Sequence, residues 1–293
     1  MPSTRDIRRR IKSVKNTAQI TKAMQLVAAA KMKKAQDQAA SGRSYTELMN
    51  KILVALKDSA EEGVHPFFEA GKGGKTLVLV IATDKGLCGA LNTNLLKKLI
   101  STPLEGEVDY VTIGRKATQG LNRLRRNLIA DFPVKDPAKF SEVRSIGKFL
   151  QEKFLTGEYA RVLVAFNNFI NTVTQVPSIE QLLPVNPVTL GGKRSYEETY
   201  TIVDEKNLPQ YTFEPDAATV FATVLPQYVN GTLYQMVLES RASEHSSRMV
   251  AMKNATDNAK QMLKDLSLEY NKLRQAAITN ELLEITTAKM ALE

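Results

Sequence analysis

Hydrophobic positions at the two ends of the chain recur at alternating steps of four and three residues. Ile7, Ile11, Val14, Ala18, Thr21, Ala28, Met32, Ala35 and Ala39 follow this alternation, with Gln25 its one polar break, and Ile20, Met24 and Val27 form a second row beside it. Near the C-terminus the same alternation runs through Met249, Met252, Thr256, Ala259, Leu263, Leu266, Tyr270, Leu273 and Ala277. Seams of this length predict a coiled coil. Helix breakers are nearly absent from both segments: Ser3 to Glu62 holds one glycine, Gly42, and no proline, and Thr232 to Glu293 holds neither. At a rise of 1.5 Å per residue each helix is expected to be roughly 90 Å long, the length of a rod. An isolated helix is marginal in water, so each stripe needs a partner. An antiparallel pair closed by the middle of the chain is the simplest arrangement. Pairing of the same helices between molecules is the alternative.

The last turns break the pattern. Ile278, Leu282, Leu283, Ile285, Ala288, Met290 and Leu292 spread over more than one face, among only Glu281, Glu284, Lys289 and Glu293 as charges. A helix that is apolar nearly all round is buried by something. The expectation is a tip that projects past its partner helix into an apolar sleeve of another protein, and the alternative is a tip folded back on its own domain.

Between the helices the period changes. Leu77 to Ala82 is a continuous apolar run of strand length; Val108 to Ile113 and Arg161 to Phe166 read as further strands. Val173–Val176 and Tyr200–Val203 read as edge or hairpin strands. Asn92 to Ile100, with Asn92 or Thr93 as cap, Lys116 to Arg126 and Lys139 to Phe154 read as helices. Alternating strands and helices predict a largely parallel α/β sheet with right-handed crossovers. Pro209, Pro215 and Pro226 punctuate the return, and Pro226 is expected to end or kink a short helix that begins near Asp216. The fold class is therefore α/β: a long antiparallel coiled coil of N- and C-terminal helices plus a central Rossmann-like α/β domain. The segments are 1–62, the N-terminal helix; 75–208, the α/β domain; and 209–293, the return segment and C-terminal helix.

Charge adds one feature. The net charge of +9 is carried entirely by residues 1–43, where eleven Lys and Arg face only Asp6 and Asp37. Such a helix face reads as a surface for something acidic or as plain solvated surface. The start, Met1 to Arg5, is similar to an Arg/Ser-rich transit peptide, but Asp6 and the immediate onset of the helical repeat count against that. No apolar run approaches the ~20 residues that span a bilayer, so direct membrane insertion is not expected. Cys88 is the only cysteine, which excludes a disulfide framework and makes a reducing compartment the default.

Candidate chemistry is sparse. Gly73-Gly74-Lys75-Thr76 resembles the end of a phosphate-binding loop, yet the spacing puts Glu69 where that motif needs glycine, and the string precedes a strand instead of following one. Asp84 to Ala90 follows the first strand, where α/β ligand sites form, but Gly86 and Gly89 lack dinucleotide spacing and read as a tight turn. Cys88 has no nearby histidine; His65 and His245 are the only two in the chain. No catalytic residue, cofactor site or metal site is expected. The aromatic content, 6 % without tryptophan, weakens a base-stacking role.

Several strings resemble one family. Residues 7–32, Ile7-Arg-Arg-Arg-Ile-Lys-Ser-Val-Lys-Asn-Thr-Ala-Gln-Ile-Thr-Lys-Ala-Met-Gln-Leu-Val-Ala-Ala-Ala-Lys-Met32, look like the first helix of the γ subunit of F-type, H⁺-transporting ATP synthases. Asp84-Lys-Gly-Leu-Cys-Gly, Phe169-Ile-Asn-Thr, Gln175-Val-Pro, Glu214-Pro-Asp, Met249 to Asn258 and Arg274 to Glu281 resemble its later segments in the same order. Ala288 and Lys289 depart from a Gly-Ala usual in the family, and no cysteine-pair insert is present.

The resemblance implies a non-catalytic central rotor shaft. The α and β subunits form the catalytic head around such a shaft, and the ε subunit and the membrane c-ring join its foot. Proton flow turns the shaft, which drives ATP synthesis or hydrolysis at the β-subunit sites. The implied location is peripheral, on the cytoplasmic face of a bacterial inner membrane. Met24, Arg248, Gln275, Thr279 and Glu281 match positions facing the α/β ring, and Tyr211 and Glu214 match the segment beside the rotor ring. Two other readings remain: a nucleic-acid-binding coiled coil, which predicts steeply salt-dependent binding, and an α/β enzyme with helical arms, which predicts turnover by the chain alone.

Overall fold

The computed structural model describes residues 3–57, 66–69, 71, 73–104, 106–185, 214 and 216–292. The anticipated strand at Tyr200–Val203, the prolines Pro209 and Pro215, and Tyr211 lie outside the described residues. Among these residues ten elements follow in order: α1 (Thr4–Lys57), β1 (Lys75–Ile81), α2 (Leu91–Ser101), β2 (Val108–Ile113), α3 (Arg115–Arg123), β3 (Asn127–Phe132), α4 (Phe140–Leu155), β4 (Tyr159–Phe169), β5 (Gln175–Leu183) and α5 (Ala217–Leu292). The chain divides into two compact units, Met1–Ala28 with Arg248–Glu293, and Ala29–Ser247. Both long helices contribute to each unit.

In the larger unit five strands form one sheet in the order β3-β2-β1-β4-β5. β1 is central and parallel to β2 and β4, β2 is parallel to β3, and β5 returns antiparallel to β4. The continuous apolar run of β1 is explained by cover on both faces. Leu77, Leu79 and Ile81 point into a core completed by Ala39, Met49 and Leu53 of α1, Ile146 and Leu150 of α4, and Leu225, Val229, Leu233 and Val237 of α5. Val78 and Val80 point the other way, against Leu95 and Leu99 of α2 and Ala117 and Leu121 of α3. Each of these large side chains contributes about 1.5–3 kcal/mol by leaving water.

Four local expectations are corrected. The helix expected to reach Arg126 stops at Arg123, because Leu124 and Arg125 turn the chain, Arg125 with a left-handed φ of 52°. The strand β3, absent from the sequence reading, follows at once. The Asn92 side chain does not cap α2. Its Oδ1 accepts from the Thr83 N–H at 3.3 Å and its Nδ2 donates to Thr83 Oγ1 at 2.8 Å, which ties the helix to the end of β1. Pro226 does not end a short helix. It lies inside α5, where one missing N–H is offset by the burial of Leu225, Tyr228 and Val229 around it. Asp216 does start that helix, with Oδ1 accepting from the Thr219 N–H at 2.8 Å. The short Val173–Val176 strand is a longer one, Gln175–Leu183, and Val173 belongs to the preceding turn.

Two contacts in this unit generate predictions. At Gly147 of α4 an added Cβ would stand 2.0 Å from Asn230 Oδ1 of α5, the same atom that accepts from Gln151 Nε2 at 3.1 Å. Gly147→Ala gains up to about 1 kcal/mol of helix propensity but forces that buried pair apart, so a net loss of roughly 1–2 kcal/mol is expected in denaturant unfolding. An unchanged midpoint would refute the close approach. Asp136, in the loop after β3, accepts from Lys31 Nζ at 2.7 Å and pairs with His245 Nε2 at 3.3 Å. The His245 hydrogen bond above all, with Lys31 beside it, holds this carboxyl well below the usual range despite partial burial. A carboxyl with a depressed folded pKa stabilises the fold above its unfolded pKa of about 3.9 and ceases to as pH falls further. Asp136→Asn should therefore destabilise at pH 7, and its gap from wild type should narrow in melts taken below about pH 4. A gap independent of pH would contradict this.

Candidate functional site

In the smaller unit α1 and α5 pair. Ser3 and Asp6 open α1 with a reciprocal cap: the Asp6 N–H donates to Ser3 Oγ at 3.2 Å, and Ser3 Oγ donates to Asp6 Oδ2 at 2.7 Å. These Ser3 bonds, with Arg9 nearby, lower the Asp6 pKa. Arg8 Nη2 donates to Tyr270 Oη at 2.5 Å, and its guanidinium lies 5.5 Å from that ring's centre. The Thr21 and Thr256 hydroxyls, both buried, bond each other at 2.8 Å. One residue number rises as the other falls, so the helices are antiparallel within one chain. From Ile7 to Ala28 every seam position is buried or half-buried, Gln25 included, and so is every one from Met249 to Leu273.

The seam ends there. Ala277, expected in it, is exposed. The reason is register: with Arg8 beside Tyr270 and α1 beginning at Thr4, the partner runs out about one turn past Tyr270. Every residue from 274 to 290 is exposed. Leu282 is 59 % exposed, Ile285 66 % and Met290 78 %. A tip folded back on the chain is thus not what the described residues adopt.

The matched site residues fall in separate places. Gln275 and Thr279 sit one turn apart on the exposed tip, Thr279 Oγ1 donating to the Gln275 carbonyl at 2.9 Å, and Glu281 is exposed just beyond. Met24 and Arg248 are half-buried. By the Thr21–Thr256 register Met24 comes level with α5 near residue 253, roughly 30 Å along the helix from Gln275. Glu214 is exposed. The second apolar row is not part of the pair: Ile20 and Val27 are more than half exposed, and so is Leu26, which the sequence reading passed over. Its signal was available, since Leu26 lies outside the seam register. Around this strip Arg5, Arg9, Arg10, Lys12, Lys15 and Lys22 are exposed, with no ion pair to a carboxylate among the described residues.

The places where an α/β fold usually works chemically are filled by the chain itself. The switch of strand order lies between β1 and β4. There Ser247 Oγ of α5 donates to the Cys88 carbonyl at 2.7 Å, and Ser243 Oγ donates to the Asn167 carbonyl at 2.9 Å. Cys88 is buried, with Asn92 Nδ2 3.4 Å from its Sγ. In the turn between, the left-handed residues are Leu87 and Gly89, not Gly86. Gly73 serves backbone proximity: its N–H donates to the Gly157 carbonyl at 2.8 Å, and an added Cβ would meet the Glu158 carbonyl oxygen at 1.8 Å. No cluster of three or more His, Cys, Asp or Glu suited to a metal occurs among the described residues, and no helix there is long and apolar enough to cross a membrane.

Known proteins are similar to this chain in sequence over nearly its whole length. A family model described as ATP synthase matches residues 3–292. The ATP synthase gamma chain of Opitutus terrae is 48 % identical over 297 residues, covering 99 % of each chain, and that of Akkermansia muciniphila is 47 % identical over 293 residues, covering 100 % of each. Among solved structures, a chain from the central stalk and c-ring of Tetrahymena thermophila mitochondrial ATP synthase matches with a TM-score of 0.59 and 26 % identity, over 80 % of this chain and 99 % of that one. A chain from the OSCP/F1/c-ring structure of Euglena gracilis mitochondrial ATP synthase, in rotational state 3, has a TM-score of 0.69 at 19 % identity, over 99 % of this chain and 94 % of that one, a likeness of fold. By full-length sequence agreement, the chain belongs to the ATP synthase gamma-chain family.

Proposed function

We propose that this chain is the central rotor shaft of an F-type ATP synthase, coupling transmembrane proton flow to ATP synthesis and hydrolysis at the β-subunit sites without catalysing either itself. The observation that carries this reading is the uncovered end of α5. Leu282, Leu283, Ile285 and Met290 lie in water on a helix whose partner has ended, and apolar area of that kind is stable only inside another surface. The partners are the α and β subunits around the tip, and the ε subunit and membrane c-ring at the foot. Met24, Arg248, Gln275, Thr279 and Glu281 would meet the ring of α and β subunits, Met24 within the exposed strip of Ile20, Leu26 and Val27. The basic surface of α1 fits acidic β-subunit surface. Tyr211 and Glu214 would face the rotor ring. Residues 1–62, the N-terminal helix, and 209–293, the return segment and C-terminal helix, then supply the shaft and 75–208 the domain it carries, with the whole held peripherally at the cytoplasmic face of a bacterial inner membrane.

Coupling in such a machine is differential contact. A shaft that touches each β subunit differently stabilises a different conformation in each, and turning it moves those conformations round the ring. Nucleic-acid binding is the weaker reading, since the strip between the basic residues is aliphatic instead of aromatic.

The complex purified through this chain should contain one copy of it for three α and three β subunits, counted by native mass spectrometry. One copy per α or β subunit would defeat the proposal. Leu282→Asp with Ile285→Asp should leave the helical content of the chain unchanged, because both positions are exposed. ATP-driven proton pumping by the assembled complex should fall at least several-fold. Undiminished pumping would exclude these residues from a bearing surface.

A further inference from the structure

From Asn230 to Ser246 every residue of α5 but the half-buried Tyr234 is buried, and the last third of this stretch is polar: Ser240, Arg241, Ser243, Glu244, His245 and Ser246. A helix enclosed by a domain ordinarily meets it with aliphatic side chains. Here it meets it with hydrogen bonds to backbone carbonyls of the sheet and its loops. Arg241 Nη2 donates to Val134 after β3 at 2.7 Å, Ser243 to Asn167 of β4 at 2.9 Å, Ser246 to Thr172 in the β4–β5 turn at 2.8 Å, and Ser247 to Cys88 after β1 at 2.7 Å. Pro177, which stands opposite Asn167 on β5, has no N–H to offer that strand.

We infer that Arg241, Ser243, Ser246 and Ser247 form a torsional lock that fixes α5 against rotation and sliding inside the α/β domain, so that torque passes between helix and domain without slip. The inference rests on the rotor reading above. Its physical basis is directionality. Apolar packing is non-directional, and a helix held by it alone can turn among similar packings. A hydrogen bond weakens steeply once its angle is lost. At about 100° per residue the four side chains point over roughly 220° of the helix circumference, so no rotation satisfies some of them without breaking others. Arg241, Ser243 and Ser246 are buried and Ser247 is half-buried, so a bond broken at the first three leaves a polar group without a partner, which opposes the displacement. Glu244, paired with Arg241 Nη1 at 2.9 Å, keeps the guanidinium in place. These are positioning residues: they act through the helix that they hold.

The test uses the whole membrane complex carrying Ser243→Ala, Ser246→Ala and Ser247→Ala together. Unloaded ATP hydrolysis should stay near the wild-type rate, since the loss concerns transmission. Protons pumped per ATP should fall at least twofold, and further as the opposing proton gradient is raised. A purely stabilising role would lower assembly but leave the ratio unchanged in the complexes that form. Ser247→Thr, which keeps the hydroxyl, should retain the wild-type ratio, whereas Ser247→Ala alone should lower it under load. If the triple variant fails to assemble, that pair decides. Wild-type ratios at every gradient in assembled triple or Ser247→Ala complexes would overturn the lock. A bead attached to the wild-type chain that does not turn during hydrolysis would instead overturn the rotor reading; a turning bead with unaffected alanine variants overturns the lock alone.

Discussion

The constraint on which the other features rest is the phase of a four–three seam. Ile7 to Ala28 and Met249 to Leu273 keep it without a skip, and small residues at Ala18, Ala28 and Ala259 let the backbones come close. Close approach makes the register strict. The Thr21–Thr256 hydroxyl pair sits in the seam where apolar atoms would otherwise meet, and sliding by one turn would break it and set each threonine, still bonded to its own helix at Ala18 or Met252, against an apolar neighbour. With register fixed, the point where α1 begins decides where α5 is left alone. The bare tip is a consequence of unequal helix ends as much as of its own composition.

The α/β unit was legible where burial is two-sided. β1 reads as a strand because both of its faces are covered and all but its first residue are buried. β3 escaped notice because exposed and half-buried residues alternate along Asn127–Phe132 at the sheet edge, without a full apolar run. It also carries a carboxylate, Asp131, whose role is to accept from the hydroxyls of Thr112 and Thr118. The end of α3 was missed for a related reason. The residue in the left-handed conformation is an arginine, Arg125, where a sequence reader looks for glycine.

The proposed contact surface was legible in its chemistry and not in its geometry. Apolar composition marked the tip, and eleven basic residues marked α1. That Ile20 and Val27 stand outside the seam while Gln25 stands inside it depends on the partner helix, which only pairing reveals. The polar stretch of α5 was the least legible. Ser243 and Ser246 look like solvent-facing positions until backbone carbonyls from the far end of the sheet are found against them.

The uncovered tip also bears on how the chain must be produced. A helix end with Leu282, Leu283, Ile285 and Met290 open to water is adhesive toward any comparable patch, including that of a second copy. A copy with this end left uncovered would be prone to clump or be degraded. On the rotor reading, supply of this polypeptide would be tied to supply of the subunits that cover the tip.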